Sequence, residues 1–278
     1  MKHHLSKRII CAVLALGLAC PLLSSCKSSN KNDDDKPKNA YEASMPASYT
    51  ESSGIGREKP GRTDDIEQQE ATGRTICVDP GHGFVDGGCG EGYYLDGTLE
   101  KDINLEIATR LTERLKLLGY NVIQTHDGEN IPSGDTNGNK IFSATERVEY
   151  INTLKIDYLI SIHVNALDSD PEVNGMHIYY QQSYAKINTW GEKLAKSISE
   201  SIGEKVEGQT APIVKDGTDP NTSFALTRDI KAASALLEVG FVTNKTDAEN
   251  MVDPDWQQDV ANAIAAGIDD FFKALDGE

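Results

Sequence analysis

Thr75-Ile76-Cys77-Val78-Asp79-Pro80-Gly81-His82-Gly83 is the stretch that decides how this chain reads. Thr75 to Val78 suit a buried strand, and Asp79-Pro80-Gly81 is a turn signal that stops it. His82 is thereby delivered at the strand's end. The glycines on either side remove side-chain bulk and allow unusual backbone angles, so the imidazole can stand in an open crevice. In α/β sheets, strand ends are where ligands and chemistry collect. Taken alone, the stretch is equally a turn that happens to hold a histidine.

Downstream, a glycine-rich loop from Phe84 to Thr98 runs into Leu99-Glu100-Lys101-Asp102. Ile103, Ile107, Leu111, Leu115 and Leu118 then recur at helical spacing, and Gly119 stops the helix. Tyr120 to Thr125 reads as a second strand. A polar segment with Gly128, Pro132, Gly134 and Gly138 loops out before a helix from Ser143 to Leu154. Asp157 to His163 is a third strand, nearly all apolar, as suits a strand buried on both faces. Gly175 to Gln181 reads as another strand and Lys186 to Ile202 as an amphipathic helix. Ala235 to Val239 is a late buried strand, and Asp255 to Leu275 a closing helix. Strands alternating with helices predict a single α/β domain, residues 74–278, with a mixed, mostly parallel sheet flanked by helices on both faces.

Upstream, the composition changes. Lys2, Lys7 and Arg8 precede an uncharged apolar run from Ile9 to Leu23, too short for a spanning helix and flanked like a secretory signal. It ends in Leu23-Ser24-Ser25-Cys26, which resembles the lipobox of bacterial lipoproteins. That resemblance implies a signal peptide over residues 1–25, cleavage before Cys26 and two acyl chains on that cysteine, enough for firm anchoring. An ordinary cleaved signal with an incidental cysteine is the alternative. Residues 26–73 are rich in Lys, Ser, Asn, Asp, Glu, Pro and Gly and read as a flexible tether. The expected location is the bacterial cell envelope, at the periplasmic or outer-membrane face.

The 278 residues carry 27 Lys and Arg against 44 Asp and Glu, a net charge of −17. Loss of the three basic residues of the signal takes this to about −20. Such an excess argues against nucleic acid as a partner and against electrostatic adhesion to anionic lipid. Of the five cysteines, Cys77 and Cys89 remain in the globular part, as a disulfide or as two buried thiols.

Three polar residues sit where a sheet should be apolar. His163 ends the Leu159-Ile160-Ser161-Ile162 run, with Asn165 two residues on and on the same face. Glu238 lies within Leu236-Leu237-Glu238-Val239, where an unpaired carboxylate is costly to bury. Glu100 stands at a helix start, where the dipole favours an anion. Singly, each has an ordinary structural explanation. Together, two imidazoles and a carboxylate form a common zinc set for hydrolases, and a further glutamate can carry the proton. His126, at the end of a strand, is a weaker alternative ligand; His177 alternates with apolar residues and reads as structural.

Asp79-Pro80-Gly81-His82-Gly83, Glu100-Lys101-Asp102-Ile103-Asn104-Leu105, Ser161-Ile162-His163-Val164-Asn165-Ala166 and Leu237-Glu238-Val239-Gly240-Phe241-Val242-Thr243-Asn244 resemble, in order and spacing, the four signature blocks of the zinc-dependent N-acetylmuramoyl-L-alanine amidases. The resemblance runs from Arg74 to Leu275. It implies one zinc ion and hydrolysis of the amide between N-acetylmuramic acid and the first L-alanine of the peptidoglycan stem. It also implies His82, Glu100 and His163 as metal ligands, Glu238 as the catalytic glutamate, and Asn165 and Asp79 as substrate or supporting residues.

The sequence departs from that pattern at Phe84 and Cys89, and where the family's Thr-Arg stands as Thr125-His126. The loop over residues 129–142 is longer than usual. Only Leu167 to Asn174 separates the third strand from the next, too short for the inserted plug helix of some daughter-cell amidases, so no partner is expected to remove one. Two other readings stay open: a zinc hydrolase of another cell-wall peptide amide, and a non-catalytic peptidoglycan-binding lipoprotein.

Overall fold

Residues Thr75–Pro80 form the first strand, β1, and only its first residue is more than marginally exposed. The computed structural model describes residues 69–89, 93–95, 97–130, 141–181, 190–218 and 224–277. The signal, Cys26 and the tether up to residue 68 lie outside the described residues, as do residues 131–140 of the long loop. The start of the expected Lys186–Ile202 helix does too.

Around β1 a six-stranded sheet assembles from β2 (Asn121–Gln124), β3 (Tyr158–Asn165), β4 (His177–Tyr180), β5 (Ile213–Asp216) and β6 (Ala233–Phe241). The strand order is β2-β1-β3-β6-β4-β5. Every neighbouring pair is parallel except β4 with β6. The parallel members are joined by helices, as crossover connections require. The expected mixed, mostly parallel sheet is what forms.

Side-chain alternation gives the sheet two unlike faces. Ile76, Val78, Ile160, Ile162, Leu237 and Val239 point into the larger core. That core is closed by three long helices, α1 (Glu100–Leu117), α3 (Gly191–Lys205) and α6 (Pro254–Asp276). The helix α6 starts on Asp253, whose carboxylate caps Asp255 and Trp256, with Pro254 at its first position. The opposite face carries Cys77 and Leu159 against Ile151, Leu226 and Ile230. Only α2 (Ala144–Ile151) and the single turn α4 (Ala225–Arg228) cover it, at the end where the strands begin. Further along the same face, Arg147 of α2 covers Asp79, and His163 and Glu238 stand toward the ends of their strands beyond it.

Sequence periodicity does not reveal β5, α4 or α5 (Lys245–Met251). The first two are four residues long and β5 is a sheet edge, so neither has room for a hydrophobic period. Cys77 and Cys89 are not bonded to each other: both are buried, in separate clusters on opposite faces of the sheet. Gln69 and Thr72 donate backbone hydrogen bonds to the carbonyls of Leu117 and Gly119, so the chain is docked a few residues before Arg74.

Candidate active site

The end of β1 is a strained turn. His82 and Phe84 adopt left-handed backbone angles, φ 59° and 57°. Such angles are uncommon for any residue but glycine, and least suited to the bulky Phe84, so the surroundings must hold them. They do so by named contacts. Gly83 and Asp86 exchange both backbone hydrogen bonds, at 2.9 and 3.0 Å. Lys101 Nζ donates to the Phe84 carbonyl at 2.7 Å. From beneath, the buried Arg147 donates to the carbonyls of Pro80 (2.7 Å) and His82 and pairs with the Asp79 carboxylate at 2.7 Å. Asp79 also accepts from Thr125 (2.6 Å) and Ser161 (2.8 Å). Burial alone would raise the Asp79 carboxyl, but Arg147 and these hydroxyls hold it below the ordinary value.

The flanking glycines do both things expected of them: Gly83 has a positive φ of 119°, and Gly81 supplies room, because a Cβ there would overlap the His163 ring. Likewise a Cβ on Gly88 would overlap the Glu100 carboxylate.

Three elements then converge. His82 comes from the β1 turn, Glu100 is the first residue of α1, and His163 lies near the end of β3. One donor atom from each lies within 4.8 Å of the other two. Glu100 Oε1 is 3.1 Å from His163 Nδ1 and 3.3 Å from His82 Nε2. The carboxylate is fixed by N–H donors: Cys89 to Oε2 at 2.8 Å, and Val164 to Oε1 at 3.0 Å. The second His82 nitrogen, Nδ1, lies 2.9 Å from Asp86 Oδ2, which turns Nε2 toward the cluster.

The electrostatics favour positive charge at this point. Burial works against a charged His82 ring, but hydrogen bonds and charge from Asp86 and Glu100 outweigh it and lift the imidazole to about 10. Burial likewise opposes a Glu100 anion, and the two imidazoles overcome that and hold it well below the ordinary carboxylate range.

Glu238 is opposite His163 in the β3–β6 ladder. It is buried and its Oε2 has no hydrogen-bond partner. Burial first, then repulsion from Glu100, pushes its carboxyl up to about 8. A carboxyl that titrates near neutrality can both accept and return a proton.

The remaining sequence candidates fall elsewhere. His126 is buried with both nitrogens engaged, Nε2 at 2.8 Å from the Pro80 carbonyl and Nδ1 accepting from Gly128 at 3.2 Å. It braces the same carbonyl that Arg147 holds. Asn165 accepts from the backbone of Ala166 at 2.8 Å, beyond a register shift that separates it from His163. Asp79 lies under the turn. His177 is buried beside Glu238, its ring packed edge-on against Phe241. Sequence reasoning missed Asp86 and Arg147. A carboxylate four residues after the histidine was the available signal for Asp86; nothing local distinguishes Arg147 from a solvated helix arginine.

A strained turn that presents a histidine, a three-donor cluster that could hold a metal ion and a partnerless carboxyl meet at the end of a mostly parallel sheet, an arrangement that suits a hydrolase. Residues 76–270 match the N-acetylmuramoyl-L-alanine amidase family, and the chain belongs to it. It is an N-acetylmuramoyl-L-alanine amidase. The chain is 33% identical over 206 residues to the germination-specific N-acetylmuramoyl-L-alanine amidase of Bacillus subtilis, covering 72% of this chain and 81% of that one. Among solved structures it is similar to the amidase AmiC2 of Nostoc punctiforme, with a TM-score of 0.58 and 27% identity, covering 73% of this chain and 99% of that one. It is also similar to the CwlD amidase of Clostridioides difficile, solved in complex with the GerS lipoprotein, at a TM-score of 0.58 and 26% identity, covering 72% and 99%.

Proposed function

We propose that this enzyme hydrolyses, with one zinc ion, the amide between the lactyl group of N-acetylmuramic acid and L-alanine in peptidoglycan. The observation that carries the reading is the convergence of His82, Glu100 and His163 beside a buried, partnerless Glu238. The donor set fits a zinc ion: two imidazoles and one carboxylate. When bound, the ion supplies Lewis acidity toward water and the scissile carbonyl. His82 Nε2, Glu100 and His163 would hold it, and Asp86 would keep the His82 ring in the right orientation. Glu238 takes a proton from the attacking water and returns it to the departing alanine amine.

Asp79 and Arg147 are read as supports of the His82 turn and Asn165 as a residue of the substrate-facing rim. Residues 1–25 as a signal peptide and an acylated Cys26 would hold the enzyme to the envelope, with residues 26–73 as the tether and 74–278 as the catalytic domain. The sequence between Leu23 and Cys26 supports this. Among the described residues no helix is long and apolar enough to cross a membrane. Residues 166–176, between β3 and β4, form turns and coil, and activity without an activator is proposed on that ground.

The test is incubation of the full-length protein with purified peptidoglycan and identification of the newly freed amino termini. New N-terminal alanine, lost with a chelator and restored by zinc, is expected. A different terminus points to another cell-wall amide, and no release by zinc-loaded protein points to a binding role. Replacement of Cys26 by alanine, followed by fractionation, tests the anchor: the variant leaves the membrane fraction.

A further inference from the structure

The face of the sheet that carries Glu238 continues onto β4 and β5. In the antiparallel ladder of β4 with β6, Glu238 is paired with His177, so His163, Glu238 and His177 form one row across three strands. Beyond them lies edge strand β5, in which Lys215 is paired with Tyr179. The Lys215 side chain reaches back over β4: its Nζ is 3.2 Å from His177 Nδ1 and 5.6 Å from the centre of the Tyr179 ring. Tyr179 is itself seated against Phe224 and its hydroxyl is 3.4 Å from the same His177 nitrogen. Burial, then the neighbouring ammonium, holds His177 down at about 4, so the ring is neutral and accepts from Lys215.

Among the described residues no carboxylate pairs with Lys215, although the chain has 44 acidic residues to 27 basic ones. A lysine ammonium has three donors and no acceptor. One is spent on the imidazole, and the aromatic face stabilises the charge without neutralising it. What remains is a positioned cation on the strand beyond His177, the ladder partner of Glu238.

We propose that Lys215, seated by His177 and Tyr179, is the subsite for a free carboxylate of the stem peptide, on the residue that follows the alanine. This rests on the amidase reading above. The chemistry selects the peptide over the glycan, because muramic acid's own carboxyl is consumed in the scissile amide while the stem carries free carboxylates. The spacing agrees. Adjacent strands are about 4.8 Å apart, which puts the His177 row about one strand from Glu238. An extended chain advances about 3.5 Å per residue, which puts a carboxylate on the second stem residue about 7 Å from the cut bond.

The experiment compares two substrates on zinc-loaded full-length enzyme: N-acetylmuramoyl-L-alanyl-D-glutamate, and the same compound with its glutamate α-carboxyl amidated. The wild type is expected to favour the free acid about tenfold in kcat/KM, a ratio in line with a charge-assisted contact. In Lys215→Met the ratio falls to near one, and in Lys215→Glu it inverts. Thermal midpoints and bound zinc, measured on all three proteins, separate this from loss of fold. A wild type without preference for the acid, or a ratio that Lys215→Met leaves unaltered, overturns the subsite. A zinc-loaded wild type that cleaves neither compound overturns the amidase reading itself, and the subsite falls with it.

Discussion

Glu238 and His163 face each other in register across the β3–β6 ladder, yet their surroundings are opposite: His163 Nδ1 is 3.1 Å from the Glu100 carboxylate, while Glu238 Oε2 has no partner. A buried polar atom left unpaired costs about 1–3 kcal/mol. A fold retains such an atom where a ligand or a proton completes it, and the unlike pair therefore divides the site into a binding half and a proton-handling half.

Glu238→Gln separates the two halves. The side chain keeps its size but can no longer take a proton. Turnover is expected to fall by about 10²–10⁴-fold, the usual range for a general acid–base group. Bound zinc, measured by elemental analysis, stays at the wild-type level, and the thermal midpoint at pH 7 changes little, since a carboxyl that titrates at about 8 is already largely uncharged there. A variant that loses its zinc would place Glu238 among the ligands instead.

Gly81→Ala and Gly88→Ala act on the binding half. The added methyl would overlap the His163 ring in one and the Glu100 carboxylate in the other. Each is expected to weaken zinc affinity by about 10–100-fold, as displaced supporting contacts do. Competition against a coloured chelator reads this directly, without reference to turnover.

Arg147→Ala leaves the Asp79 carboxylate buried and unpaired and frees the carbonyls of Pro80 and His82. Loss of one partner of a buried pair costs about 3–5 kcal/mol. Urea unfolding should show that loss, and Asp79→Asn added to it should recover part of it by removing the stranded charge. Equal and additive effects of the two changes would mean that they do not act as a pair.

Acid should weaken the fold partly through His177. Its folded pKa is near 4, whereas the ordinary value is 6.5. Between those values the unfolded ring binds a proton and the folded ring does not, so stability falls as pH drops from 6.5 toward 4. At about 1.4 kcal/mol per pKa unit, the full contribution is about 3 kcal/mol. His126, held down by burial and Arg147, acts in the same sense, and the raised Glu238 acts in the opposite one. The readout is therefore the difference between wild type and His177→Gln in unfolding free energy across pH 4–7, which should narrow toward pH 4.

What could be read in advance follows the length over which a pattern repeats. The strands β1, β3 and β6 carry continuous apolar runs and the helices α1 and α6 sustained apolar periods, so their existence and type were legible. His163 and Glu238 were legible because each interrupts an apolar run with a group that is costly to bury, His82 because a glycine turn presents it, and Glu100 because it opens a helix. Arg147 was not. Its role depends on Pro80 and His82 carbonyls 67 and 65 residues away, and no local pattern encodes that. Lys215 was hidden for a related reason: β5 is a four-residue edge, and what singles the lysine out is the missing counter-charge around it. Asn244, which caps α5 through Thr246 and Asp247, was a readable helix signal within a block that drew attention for Glu238 alone.

The docking of Gln69 and Thr72 onto the carbonyls of Leu117 and Gly119 has a mechanical consequence. These residues lead into the beginning of β1, and His82 follows its end, so the six residues of the strand lie between them. At about 3.3 Å per residue that is roughly 20 Å. A pull transmitted along the preceding chain is met first by this strap and by the Arg74–Asp276 ion pair, at the far end of the sheet from the His82 turn. A force applied to the chain before Gln69 would thus be met at the opposite end of β1 from the turn that carries His82.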